Sequence, residues 1–289
     1  MPKKSILYII ITALCFGTME VALKVGGSTF TALQMNFLRF LIGGLLLLPL
    51  ALKELKRRQI TLTAADWGYM TFLGLLGISF SMSFFQIGVM YLNANTAAII
   101  ISCNPIFTML FAHFLVHDRF TPNKAVVLGI CLVGLMFVAN PFHLAEGNTP
   151  KGFLYMLVAM ISFALYSSLG NIRAQRLGGA IQTCIPFLIA SVFNLLILIM
   201  LREPIFSGIT LRSCPVLLYI GFIVTGLGYF TYLGAIEMVG PSNASISFFL
   251  KPVVAVATAS LVLHEAITWN IILGIAIILT GFCINMKKR

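Results

Sequence analysis

Five ionisable residues interrupt the long apolar runs of this chain: Glu20, Lys24, Arg39, Glu237 and Lys251. Ionised side chains in hydrocarbon cost about 2.5–3.5 kcal/mol each on insertion scales, so each needs a partner or a task. Lys251 stands deepest, nine residues beyond Ser242, or about 13 Å at 1.5 Å per residue. Pro252 follows it at once, and a proline frees the carbonyl four residues earlier, here Phe248. Lys251 is therefore a candidate to hold the anionic group of a small molecule. A lysine that snorkels, or that pairs with Glu237 as structural glue, accounts for the same residue. Glu20 and Arg39 lie at similar depth in consecutive apolar runs, where a structural ion pair is the leading expectation. Alternatively Glu20 grips a substrate ammonium or carries a coupling proton. If Glu20 and Lys251 both faced a cavity, they would suit a zwitterion such as an amino acid. Lys24 reads as interfacial.

A second tier is weaker. Tyr166 and Tyr232 stand near small residues and could wall a cavity. Gln86, Asn171, Phe16 and Trp67 are further candidates, although an aromatic in an apolar run more often packs or anchors at an interface. His113 is isolated in its run and reads as structural. His117-Asp118 and His264-Glu265 fall at segment ends, where the acid is expected to cap the following helix or to gate. The six cysteines, Cys15, Cys103, Cys131, Cys184, Cys214 and Cys283, show no metal-ligand spacing and read as free thiols. No phosphate-binding glycine loop, zinc-protease motif or nucleophile elbow is present, so neither an enzyme nor a cofactor is expected.

The elements that must position these residues follow from composition. The 289 residues are 60% hydrophobic and 9% charged, with mean hydropathy +1.02. Soluble domains carry about 25% charged residues, so the solvent for most of this chain is lipid. Ten segments are long and apolar enough to span, near 5–25, 31–52, 66–89, 93–115, 123–140, 151–171, 180–201, 214–236, 242–262 and 270–286. Unpaired backbone is too costly in hydrocarbon for anything but helices here. The first run lacks a small-x-small cleavage site and carries Glu20 and Lys24, so it reads as an uncleaved span.

The net charge of +11 does not imply nucleic acid. Lys3, Lys4, Lys53, Lys56, Arg57, Arg58, Arg119, Lys124, Arg173, Arg176, Lys287, Lys288 and Arg289 sit at a terminus or in every second connection. Only Lys151, Arg202 and Arg212 sit in the others. This asymmetry predicts both termini in the cytoplasm, in the cytoplasmic membrane.

Shifting the sequence by 147 residues aligns Ala97/Ala244, Pro105/Pro252, Ala112/Ala259, His117/His264, Thr121/Thr268, Asn123/Asn270, Ile130/Ile277, Leu132/Leu279 and Gly134/Gly281, with Asp118 against Glu265. Asn104 is thereby the mate of Lys251, and Ile101 of Phe248. Each half holds an odd number of spans, so the second enters the membrane from the opposite side. The predicted fold is all-α, ten transmembrane helices in two inverted five-helix repeats over 5–139 and 151–286. The mates Asn104-Pro105 and Lys251-Pro252 are expected to meet at the centre, with Asn104 supplying hydrogen bonds to a substrate. Two halves of opposite orientation can exchange conformations and open a shared cavity to either side.

Cys15-Phe16-Gly17, Arg39, Asn104-Pro105-Ile106-Phe107 through His117-Asp118, and Lys251-Pro252-Val253-Val254 through His264-Glu265 together resemble EamA-type transporters of the drug/metabolite transporter superfamily, in both halves. The family's Gly-Glu ending is replaced here by His-Asp and His-Glu. The resemblance implies ten helices, no ATP hydrolysis and movement of small metabolites, often as export, with amino acids among family substrates. The expected function is thus a secondary transporter, as monomer or homodimer, with a proton or cation as a potential coupling partner. A membrane-embedded enzyme or lipid-modifying protein is the alternative. A channel or structural subunit is another, but it lacks the expected rings of like charge.

Overall fold

The computed structural model describes residues 3–116, 122–139 and 146–287. His117-Asp118 lies outside them. Ten helical stretches follow one another: α1 (Lys3–Gly27), α2 (Ala32–Arg58), α3 (Ala64–Met90), α4 (Ala94–Leu115), α5 (Pro122–Ala139), α6 (Pro150–Gly170), α7 (Gly179–Met200), α8 (Cys214–Val239), α9 (Pro241–Leu263) and α10 (Trp269–Lys287). A helical turn, Ala174–Leu177, lies between α6 and α7. No strand occurs among the described residues. All except α5 and α10 meet the length and hydropathy of a membrane span over the described residues.

Local chemistry sets the helix ends. Thr31 and Gln34 form a reciprocal capping box at the start of α2, and Thr63 and Asp66 do the same for α3. Thr149 caps α6 with Pro150 in the first turn, where its missing N–H costs nothing. The outer faces are apolar. On α1, Ile6, Leu7, Ile10 and Leu14 are exposed, while Ile9, Ala13 and Phe16 turn inward. A soluble helix would reverse that stripe with charge; here lipid covers it.

Packing obeys the two-fold relation. α1 lies against α8 and α9, and its mate α6 lies against α3 and α4; α2 packs on α7, and α5 on α10. Mates touch where the axis passes. Phe40 and Phe187 meet edge to face at 4.7 Å, and the Tyr229 hydroxyl donates to Met82 Sδ at 2.9 Å. α3 and α8 each contain a π-helical stretch, Gly74–Ser81 and Tyr219–Leu227. Widened turns recur at functional sites because they misalign the backbone ladder; here Asn36 Nδ2 donates to the Ile78 carbonyl at 3.1 Å. Glycine permits the close approach: a Cβ on Gly74 would lie 2.7 Å from the Pro186 carbonyl, and one on its mate Gly221 2.6 Å from Ile42.

The expected proline breaks are only half right. α4 breaks at Cys103, one residue before Asn104-Pro105. α9 instead runs helically through Pro252 and breaks earlier, at Ser245-Ile246. α1 breaks at Thr18, beside Glu20.

Candidate functional site

The centre of the molecule is a buried aromatic cluster between the two halves. Phe16 of α1 meets Tyr229, Tyr232 and Phe248 at 5.1, 5.9 and 5.8 Å. Its repeat mate Phe163, on α6, meets the same three rings and Tyr166. Phe40, Phe187 and Tyr229 form an edge-to-face triangle below them. All are buried. Such ring contacts are favourable beyond the area they bury and hold each ring in one orientation.

Into this cage project Lys251 and Glu20, which form a fully buried salt bridge. The Lys251 ammonium also sits 5.8 Å from the Phe85 ring and 5.9 Å from Phe248, within reach of cation–π attraction. The pair joins α1 of one half to α9 of the other. A pairing of Glu20 with Arg39 is therefore overturned, as is one of Lys251 with Glu237. Depth alone suggested the first, but α1 turns its Glu20 face to α9.

Arg39 is equally buried and has no carboxylate within 4 Å among the described residues. Its guanidinium stacks 4.5 Å from the Phe40 ring and reaches Met19 Sδ at 3.5 Å and Asn36 Oδ1 at 3.4 Å. Glu20 and Lys251 both lie within its electrostatic reach. Several polar atoms have no partner: Glu20 Oε2, Arg39 Nε, both amide atoms of Gln86, and the Tyr166 hydroxyl. Buried polar atoms are ordinarily satisfied, so such a cluster calls for an explanation.

Asn104 does not meet Lys251 as expected. Its Nδ2 donates to the Met160 carbonyl at 3.1 Å, and its Oδ1 accepts from Thr108 at 2.8 Å. It ties α4 to α6 as Lys251 ties α9 to α1, so the symmetry persists with an amide-to-carbonyl hydrogen bond in place of the ion pair. Tyr232 donates to Ser167 at 3.0 Å. Ser167 is the mate of Glu20, and that tie joins α8 to α6. Asn171 stands at the C-terminal end of α6, half-buried, five residues beyond Tyr166. Trp67 is exposed, as an interfacial anchor would be, and His113 is exposed beside Phe114.

Carboxylates tie the two halves together on opposite faces. On the basic face, Glu237 accepts from Arg58 at 2.6 Å and from the Gly179 N–H at 2.8 Å, and Glu54 accepts from Arg58 at 2.9 Å and from the Ala180 N–H at 3.2 Å. These contacts border a pocket of about 330 Å³ with Lys4, Tyr8, Lys53 and Arg57 at its rim. Buried Asp66 binds Arg173 and Arg176 beside it. On the opposite face, Glu265 accepts from the N–H groups of Ala94 and Asn95 at 2.7 and 3.0 Å. Glu265 was expected to cap the following helix, α10. It caps α4 of the other half, because the α9 end at His264 turns left-handed (φ 55) and brings the carboxylate over that terminus.

The sequence does not single out Phe163, Phe40, Phe187, Tyr229 and Phe85, and it marks Phe248 only for its carbonyl, not its ring. The 147-residue shift could have found four of them, since Phe16/Phe163 and Phe40/Phe187 are identical mates and Phe85 aligns with Tyr232.

Comparisons with known proteins agree on the type. An uncharacterized transporter of Clostridium kluyveri is 35% identical over 99% of this chain and 94% of its own length. The uncharacterized transporter YoaV of Bacillus subtilis is 25% identical over 98% of this chain and 96% of its own. A crystal structure matches the fold with TM-score 0.74 at 17% identity, covering 99% of this chain and 98% of that one. The EamA-like transporter family matches twice, over residues 3–140 and 150–287. With both halves matched and the fold in agreement, the chain belongs to the EamA-like transporter family and is a multi-pass membrane transporter.

Proposed function

We propose that the protein is a secondary carrier of amino acids or closely related zwitterions. It works by alternating access and exports them across the cytoplasmic membrane, with both termini in the cytoplasm. The observation that carries this reading is the buried Glu20–Lys251 ion pair inside the aromatic cage. An ion pair sealed in a low-dielectric site repays its desolvation only when each charge has a partner. In the empty carrier the two side chains neutralise each other. A zwitterion can take over both: its ammonium meets Glu20, its carboxylate meets Lys251, and the apolar part lies on the rings. Glu20 and Lys251 each keep a counter-charge with or without cargo, so the halves can rock in either state.

The closing contacts support the alternation. Arg58 with Glu237 on one face and Glu265 with α4 on the other each join the two halves. Release of one set opens one mouth while the other holds. Energy then comes from a gradient of cargo, proton or cation. Purified protein in liposomes, loaded with one amino acid and offered a labelled second, tests the reading. Saturable counterflow that Glu20→Gln and Lys251→Met abolish is expected. Turnover without flux, or flux unaffected by both substitutions, refutes it.

A further inference from the structure

The cluster's charges do not balance. Glu20, Arg39 and Lys251 are its fully buried acidic and basic side chains among the described residues; Asp66, also buried, is matched at the basic face by Arg173 and Arg176. Two cations thus face one carboxylate. Arginine stays protonated in proteins, so Arg39 cannot relieve the excess by losing its charge. A lone guanidinium stacked on Phe40 and bonded only to an amide oxygen and a thioether is poorly compensated. Its Nε–H is unpartnered, and so is Glu20 Oε2.

We infer that the cargo carries net charge −1: an amino acid with a second acidic group, whose two carboxylates complement Arg39 and Lys251 while its ammonium complements Glu20. This deepens the proposed function and rests on it. Arg39 lies on α2 and Lys251 on α9, so a cargo held by both bridges the two halves. The unpartnered Gln86 amide and Tyr166 hydroxyl supply further hydrogen bonds to carboxylate or ammonium without adding charge. An amide in place of the second carboxylate leaves Arg39 unanswered. That difference is large because the guanidinium is fully buried.

The test is counterflow in liposomes with isosteric probes: L-glutamate against L-glutamine, and L-aspartate against L-asparagine. The acidic member of each pair should compete about 30-fold better or more, the ratio expected for a desolvated charge pair. In Arg39→Gln the preference should collapse or reverse while L-glutamine still moves; Arg39→Lys should retain part of it. Equal or better transport of the neutral members by the parent protein overturns this inference and leaves the amino-acid reading standing. Flux of none of the four probes also overturns this inference, and the amino-acid reading is then decided by counterflow with the remaining amino acids. If Arg39→Gln does not fold, the parent protein's own preference still decides.

Discussion

Removing one member of the buried ion pair should have unequal consequences depending on which member is removed. Truncating a partner in a buried pair costs about 3–5 kcal/mol, because the survivor is left uncompensated. Glu20→Gln leaves Lys251 and Arg39 as two like charges with no carboxylate between them, so its loss belongs at the upper end. Lys251→Met leaves Glu20 within reach of Arg39, and its loss belongs at the lower end. The double variant replaces the pair by neutral groups of similar volume and should lie within about 1–2 kcal/mol of the parent. Cys15, Cys103 and Cys184 are buried and in no disulfide, so a thiol-reactive dye reports unfolding in detergent directly. The expected order of melting temperature is parent, double variant, Lys251→Met, Glu20→Gln, with the largest drop on the order of 10 °C. Additive losses in the double variant, or Lys251→Met below Glu20→Gln, would refute the charge count of the cluster.

Three other outcomes are expected. Glu265→Ala removes the carboxylate from the α4 N-terminus and should destabilise by about 1–2 kcal/mol; a cysteine placed at Asn95 should then label faster with a membrane-impermeant thiol reagent, and unchanged labelling would count against a gate there. Asp66→Asn strips Arg173 and Arg176 of their shared carboxylate; since both arginines are partly exposed, the loss should be only about 1–3 kcal/mol, read as a lower melting temperature with an unaltered transport KM. Gly77→Ala would place a methyl 2.3 Å from the Tyr166 ring, so a loss of about 1–3 kcal/mol and weaker cargo binding are expected, and a variant with parental affinity would remove Tyr166 from the site.

Much of this architecture is legible in the sequence because lipid imposes strict rules. Span length, helix type and the segregation of Lys and Arg follow from hydrocarbon thickness and the cost of buried charge. The 147-residue repeat then gives the two-fold relation, and the mates Phe40/Phe187 and Met82/Tyr229 do meet across it. That charges set inside apolar runs are buried is legible too: Glu20, Arg39 and Lys251 all are.

What depth does not give is azimuth. In a soluble helix the polar face marks the outside; here the lipid face and the core face are both apolar, so the direction in which Glu20 points is not encoded locally. The same ambiguity separated Asn104 from Lys251 and hid Phe163 and Phe248 among many phenylalanines. Composition and hydropathy thus determined by themselves that the chain is all-helical and membrane-spanning, and the 147-residue shift that it is built of two repeats. Only the tertiary packing of α1 on α9 decided that Glu20 pairs with Lys251 and that Arg39 is left without a carboxylate. Partner choice depends on which helix faces touch, and that is settled by close packing across the two halves, not by any residue's own neighbours in the chain.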